Sequence, residues 1–279
     1  MDLRRNHDHF SFRYSVSNKE HKVRTIMKRR NLIKALGAVA LSGSISTRGI
    51  KAQSPPHSQS PQSSVPPGPL PKVVAGIAIV DSQIATEATK LARETSPPFL
   101  FNHAARTFLF GALTAKASGL RVDHELLYIA CILHDIGLTE QFAGDLPFEI
   151  QGAQAAIRFL EEHGLAKDKS AIVWDGIAMH ASAIGQFKQP EIALVGAGAG
   201  IDVIGPDFSV IKKADVSEVV RAFPRLKFKG EFVKTCAGIV RQHPSGASRG
   251  FMRDVGERHV PDFHPRNICD AITQAPFDE

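Results

Sequence analysis

Two histidines and two aspartates have the types and the order of a metal site. His103 comes first, the adjacent pair His134-Asp135 follows, and Asp202 comes last. Imidazole and carboxylate together suit Zn²⁺ first, with Fe or Mn²⁺ as alternatives. Each residue also has a structural interpretation, because His103 could be a core histidine and the other three could cap helices. We predict that these four residues bind one divalent metal ion.

The elements that must position these residues are predicted to be helices. The first extends from the N-cap Asp81-Ser82 to the break at Ser96-Pro97-Pro98, because its apolar residues recur with a helical period. The others run from Phe99 towards Ser118, from Asp123 to Asp135, from Glu149 to His163, from Asp168 to Ala181, from Pro190 to Ile204, from Val216 to Phe223 and from Gly230 to Arg241. Alternating β-branched runs are nearly absent, so the predicted class is an all-α helical bundle. The ends of helices around the core of a bundle can supply metal ligands.

Charge is concentrated at the front of the chain. Residues 1–52 contain 12 of the 34 Lys and Arg residues but only 3 of the 28 Asp and Glu residues. The remainder is therefore slightly acidic, with 22 basic against 25 acidic residues. The body of the protein has no basic surplus to collect phosphates, and it has few aromatic residues of the kind that stack on bases. Nucleic acid is not an expected partner.

The N-terminal segment resembles a twin-arginine export signal. Arg29 and Arg30 precede an uncharged stretch over residues 35–45, and small residues lead to an expected cleavage site near Ala52. That stretch is shorter than the 18 or so residues that span a bilayer. We expect a periplasmic or extracellular protein without a stable membrane anchor, and a true start at Met27. The alternative is a basic amphipathic N-terminal helix.

The domain boundaries follow from composition. Residues 53–72 are rich in Pro, Ser and Gln and are predicted to be a disordered tether, which leaves 73–279 as one folded domain. Cys131, Cys236 and Cys269 are widely spaced, so no disulfide framework or thiolate zinc site is expected. The part of the chain after Asp207 matches no motif and could form a wall of the pocket.

Four motifs in this order resemble the HD superfamily, whose pattern is a His, an adjacent His-Asp and a distant Asp. Their flanking residues are similar to the cyanamide hydratase branch. The segments that carry this resemblance are Asn102-His103-Ala104-Ala105-Arg106, Leu133-His134-Asp135-Ile136-Gly137-Leu138-Thr139, Phe148-Glu149-Ile150-Gln151-Gly152-Ala153 and Gly200-Ile201-Asp202-Val203-Ile204-Gly205. The resemblance implies a metal-dependent enzyme that adds water to a small nitrile-like substrate to give urea, a hydro-lyase, or a related hydrolase.

The resemblance also suggests roles for residues around the predicted ligands. His180 is similar to a family histidine that faces the metal pocket, where it could handle a proton, touch substrate or bind a second metal; a core histidine is the alternative. Asp135 could serve both as ligand and as base. Asn102, Arg106, Thr139 and Glu149 are candidates to contact the substrate or to support the ligands. His163, before Gly164 at a helix end, is read as structural, and a dinuclear site is its alternative.

Two other functions remain open at this point. A phosphohydrolase acting on a nucleotide or another phosphomonoester would need Arg or Lys near the metal, and Arg106 is the only basic residue placed for that. A non-catalytic signalling or ligand-binding module would not need an intact set of metal-binding residues. The expected partner is a small-molecule substrate, and the sequence does not indicate an oligomeric state.

Overall fold

Helices make up nearly all of the regular structure in the computed structural model, which describes residues 68–277. The α-helices of this part are α1 (Gln83–Thr95), α2 (Pro98–Ala117), α3 (His124–Leu133), α4 (Phe148–Glu162), α5 (Lys167–Met179), α6 (Pro190–Ile204), α7 (Lys213–Ala222), α8 (Phe228–Gln242), α9 (Gly250–His259) and α10 (Ile268–Thr273). Short 3-10 helices cover Ile136–Leu138 and Gly185–Phe187. The all-α prediction is confirmed. The predicted export signal over residues 1–52 and residues 53–67 of the predicted tether lie outside the described residues.

Several elements of this fold were not predicted: α9, α10, the two 3-10 helices and a short hairpin before α1. The hairpin joins β1 (Val73–Val74) to β2 (Ile77–Ala78) in an antiparallel pair. Ala75 and Gly76 both have positive φ, as a two-residue type I′ turn requires. Two-residue strands are too short to show an alternating pattern in the sequence.

The predicted N-caps set the starts of two helices. The Ser82 hydroxyl accepts a hydrogen bond from the backbone of Ala85, and the Asp123 carboxylate accepts bonds from Glu125 and Leu126. These bonds satisfy backbone donors that a helix start leaves free. Asp123 thereby fixes the start of α3, the helix that ends directly before His134.

Close packing of α2 against α6 brings His103 and Asp202 to face each other. α2 is buried along most of its length. A β-carbon on Gly198 of α6 would collide with the carbonyl oxygen of Thr107, and one on Gly111 of α2 would lie 2.9 Å from the carbonyl oxygen of Leu194. The two backbones can approach this closely because glycine occupies the points of contact.

A second close contact fixes the turn after Asp135. A β-carbon on Gly137 would collide with the carbonyl oxygen of Phe148, the first residue of α4. The Gly in the Leu-His-Asp-Ile-Gly motif therefore lets α4 start directly against the turn that carries Asp135. A larger residue at 137 would separate α4 from the ligand pair.

The C-terminal helices add a second apolar cluster to the main core. The main core lies among α1 to α6, while α8 and α9 bring Phe228, Val240 and Met252 against Phe99 and Phe148. Phe232 of α8 and Phe251 of α9 line the pocket described below. None of the described helices has the length and apolar character that a membrane span requires.

Candidate metal centre

Three buried side chains converge at the point where α2 meets the end of α3. The Nε2 atoms of His103 and His134 are 3.3 Å apart. Asp135 Oδ2 lies 3.4 Å from the Nε2 of His103 and 3.2 Å from the Nε2 of His134. Among the described residues, these three form the group whose ligand atoms are close enough to share one ion.

Hydrogen bonds on the outer side of each ring point the Nε2 lone pairs inward. The Nδ1–H of His134 donates to the carbonyl oxygen of Cys131 at 2.7 Å. The Nδ1 of His103 lies 2.7 Å from Asp202 Oδ2, and a carboxylate there accepts the proton of Nδ1. In a neutral imidazole the other nitrogen then carries the lone pair. Both rings are therefore held in the tautomer that can bind a metal through Nε2.

The donor set fits a divalent cation. Asp135 Oδ2 is buried and has no hydrogen-bond partner in the described part of the chain. It lies against two Nε2 lone pairs, and three acceptors in mutual contact repel one another unless a cation lies among them. Two imidazoles and a carboxylate are a common protein ligand set for catalytic zinc. A zinc, iron or manganese ion held by His103, His134 and Asp135 would resolve the repulsion.

A proton is the competitor of a metal ion at this centre. Burial opposes a charge on His103, but its contacts with Asp135 and Asp202 raise the pKa of the ring above its ordinary value. Burial likewise opposes ionisation of Asp135, yet the neighbouring His134 and His103 hold the pKa of that carboxyl well below its usual range. A metal ion at this centre would therefore compete with a proton for the Nε2 atom of His103.

Asp202 lies on the opposite side of the His103 ring from the other ligand atoms. Its carboxylate accepts two bonds from Arg106, from Nε at 2.8 Å and from Nη2 at 2.7 Å. A third bond comes from Nη1 of Arg225 at 2.7 Å. Despite burial, the bonds from His103 and Arg106 keep the pKa of Asp202 below its ordinary range. The observed role of Asp202 is to orient His103, and a direct bond from Asp202 to a metal ion stays a prediction.

His180 faces the cluster from the end of α5. Its Nδ1–H donates to the carbonyl oxygen of Ile177 at 2.7 Å, which leaves Nε2 as an acceptor 3.5 Å from Asp135 Oδ1. Burial, followed by repulsion from His134, lowers the pKa of His180 to about 4. The ring is therefore neutral near pH 7. Its place at the C-cap, one residue beyond the end of α5, differs from the predicted position inside the helix.

The remaining predicted residues lie outside the cluster. Asn102 donates to the carbonyl oxygen of Pro224, and the Thr139 hydroxyl donates to the carbonyl oxygen of Ile136. Burial raises the pKa of Glu149, in the first turn of α4, to about 7. His163 is exposed at the end of α4, where its ring packs on Phe159. None of these four lines the cavity described next.

A cavity of about 500 Å³ opens from the cluster. His103, His134, Asp135 and His180 all contribute to its lining. Small and apolar residues of α6 form much of its wall, and Phe232 and Phe251 close another side. No Lys or Arg of residues 68–277 lines it. The candidate centre therefore lies in a largely apolar chamber of the size typical for small-molecule sites.

Several residues around the centre were not identified from the sequence. Arg225 anchors Asp202 from the loop between α7 and α8, and its guanidinium lies over the ring of Phe228 at 4.8 Å. The same ring packs on His103 with 4.8 Å between centroids. The segment that contains Arg225 and Phe228 carries no recognisable motif. The one sequence feature that could have indicated it is the spacing of Phe228 and Phe232, which places both on one helix face.

Comparison with known proteins agrees with this geometry. The model of the HD domain family matches residues 100–196, which include the three converging ligands. Two relatives from Saccharomyces cerevisiae, the cyanamide hydratases DDI2 and DDI3, are each 26% identical over 187 residues. That alignment covers 65% of this chain and 79% of each relative. The chain therefore contains an HD domain and is similar to the cyanamide hydratase branch of that superfamily.

Proposed function

We propose that this protein is a metal-dependent hydratase that adds water to a small, uncharged, nitrile-like substrate. This is the type of reaction for which its relatives, the cyanamide hydratases, are named. The HD domain and its ligand cluster support a metal-dependent hydrolase or hydratase. The observation that carries the narrower proposal is the cavity, because it joins the candidate metal centre and has no Lys or Arg among the described residues of its lining. Such a chamber suits a neutral molecule.

The chemistry that a divalent ion supplies at such a site is Lewis acidity together with water of lowered pKa. Hydration forms one bond from the water oxygen to the nitrile carbon and converts C≡N to C=N. Transfer of one proton from the water to the nitrogen gives a C(OH)=NH group, and transfer of the hydroxyl proton to the same nitrogen converts it to the amide, so that cyanamide and water give urea with no leaving group. The protein must hold the substrate and carry a proton between these two atoms.

His180 is the residue best placed to carry that proton. Its Nε2 is an acceptor, it lines the cavity, and it lies 3.5 Å from Asp135 Oδ1. Its neutral ring can take a proton from water and return it to the substrate nitrogen. Asp135 can share the task through Oδ1, because its Oδ2 is the atom that faces the two histidine Nε2 atoms. A positioned acid–base group of this kind is typically worth about 10²–10⁴ in rate.

A phosphohydrolase fits the site less well. Arg106, the one basic residue that the sequence placed near the ligands, is buried and binds Asp202. It also donates to the carbonyl oxygens of Phe223 and Pro224. Recognition of phosphate requires cationic donors that point at the substrate. A non-catalytic module would not require three converging acceptor atoms.

Export is part of the same proposal. The twin-arginine-like segment with Arg29 and Arg30 favours a periplasmic or extracellular location. Zinc is the first choice of metal on the ligand types, with iron or manganese as alternatives.

The test combines metal analysis with a panel of substrates. Wild-type protein reconstituted with zinc, iron or manganese is assayed on cyanamide, on acetonitrile and on p-nitrophenyl phosphate. We expect turnover of cyanamide and about one metal ion per chain. His134→Ala should lose both, whereas His163→Ala, which removes an exposed histidine, should lose neither. Turnover of the phosphate ester alone, or unchanged turnover by His134→Ala, would refute the proposal.

A further inference from the structure

The cavity is far larger than the substrate of the relatives. Cyanamide needs about as much space as two water molecules, roughly 60 Å³. The chamber beside the ligands measures about 500 Å³. If cyanamide were the only substrate, most of this space would hold water against an apolar wall.

Small residues on one face of α6 create the extra depth. Ala193, Ala197 and Gly200 recur every three or four positions and line the chamber. No atom lies within 4 Å of the position that a β-carbon on Gly200 would take. The space in front of Gly200 is therefore open, and a ligand rather than a neighbouring helix would have to fill it.

Most of the remaining lining is also apolar, although Thr114, Ser182 and Gln186 contribute polar side chains. Val210 and Ile211 line the chamber together with Phe232 and Phe251. Among the described residues, Asp207 is the only charged one that lines the chamber away from the metal centre, and its carboxylate accepts a bond from the backbone of Ser209.

The mouth of the chamber presents large apolar side chains to solvent. Val203 and Ile204 are part of the lining, and the side chain of Ile204 is 68% exposed. Phe208, next to Asp207, is 52% exposed. An apolar path thus leads from the surface into the chamber, and desolvating it costs little because it has few polar groups to leave unpaired.

We infer that this chamber is a subsite for a hydrocarbon substituent, so that the substrate is a nitrile-like head group carrying an alkyl or aryl tail. The inference rests on the proposed function for the head group. The cavity is continuous from the metal centre to Gly200. A substrate whose head group reaches the cluster of His103, His134 and Asp135 would therefore place its apolar tail along Gly200.

The first measurement is a series of N-alkylcyanamides from methyl to hexyl, assayed with the metal-loaded wild-type protein. Burial of each methylene should raise kcat/KM about fourfold until the chamber is filled. A kcat/KM that stays flat or falls from methyl to hexyl would overturn the inference.

The second measurement removes the space. In Gly200→Leu the new side chain occupies the chamber, so the ratio of kcat/KM for hexylcyanamide to that for methylcyanamide should fall at least tenfold below the wild-type ratio. The ratio for Gly200→Ala should lie between the ratios of the wild type and of Gly200→Leu. The control is Gly238→Leu on α8, also a helical glycine with open space at its β-carbon but outside the lining. It should keep the wild-type ratio.

The third measurement separates the two proposals. Binding of hexylurea and methylurea, the products of this series, is measured by calorimetry and does not depend on turnover. Hexylurea should bind at least tenfold more tightly than methylurea, and Gly200→Leu should remove the difference. If hexylurea binds more tightly but the protein turns over none of the cyanamides, the hydratase proposal is refuted and the subsite is supported. Equal binding of the two ureas in a protein that turns over cyanamide would refute the subsite alone.

Discussion

Replacing Arg106 by methionine should destabilise the protein strongly, although Arg106 is neither a metal ligand nor part of the cavity lining. Its side chain is completely buried. It donates two bonds to the Asp202 carboxylate and two more to the carbonyl oxygens of Phe223 and Pro224. Methionine fills similar volume but removes all four bonds. The charged Asp202 carboxylate then keeps only the donors of His103 and Arg225, and the carbonyl oxygen of Phe223 loses its side-chain donor.

The expected loss in the free energy of unfolding is about 3–5 kcal/mol, the usual cost of removing one partner of a buried ion pair. Arg225→Met provides the control, because Arg225 binds the same carboxylate from a position that is 30% exposed. Solvent can take over part of that interaction, so its loss should cost only about 1–2 kcal/mol. Arg106→Lys keeps the charge but loses the bidentate contact with Asp202. Its loss in the free energy of unfolding should lie between those of Arg106→Met and Arg225→Met.

Urea denaturation of metal-free protein provides the assay, since a bound metal would add its own stabilisation. Arg106→Met should lower the midpoint with little change in the m-value. A loss no larger than that of Arg225→Met would refute the reasoning. If Arg106 instead bound a substrate phosphate, its removal would leave the midpoint nearly unchanged and abolish binding of inorganic phosphate.

Three further predictions concern the site and the export segment. His180→Ala should keep its metal while turnover falls by about 10²–10⁴, the usual effect of losing an acid–base group; loss of metal measured on the same sample would make His180 a ligand instead. Glu149→Gln should flatten the decline of metal-free stability between about pH 4.5 and 7. In the wild type the folded acid keeps its proton up to a pKa of about 7, whereas the unfolded acid loses it near 4.5, so stability falls as pH rises through this window; an unchanged slope in urea titrations would contradict this. Arg29→Lys combined with Arg30→Lys should hold a fused reporter in the cytoplasm, and export equal to that of the unchanged segment would disprove the twin-arginine assignment.

Much of the helical framework can be predicted from sequence because its signals are local. Ser82 and Asp123 cap helices through bonds to backbone only two or three residues away. Pro98 marks the start of α2, where a missing N–H costs nothing. The hairpin and α9 were missed, since two-residue strands and a charged ten-residue helix give weak periodicity. Local patterns therefore specify helices well and short elements poorly.

The three residues of the candidate metal centre could be proposed from sequence, but their arrangement could not. His134 and Asp135 are adjacent, so their proximity follows from the chain itself, and the motif around them is specific. His103 and Asp202 lie on α2 and α6, and only the close packing at Gly111 and Gly198 decides how these helices meet.

The same packing decides which atom of His103 meets which carboxylate. Asp202 binds Nδ1 and Asp135 lies by Nε2. The sequence could list Arg106 as a basic residue near the ligands, but it could not show that Asp202 occupies its guanidinium. The types and order of the ligands are properties of the sequence. The tautomer of His103, the partner of Arg106 and the size of the cavity depend on contacts between residues far apart in the chain, and only the tertiary structure fixes them.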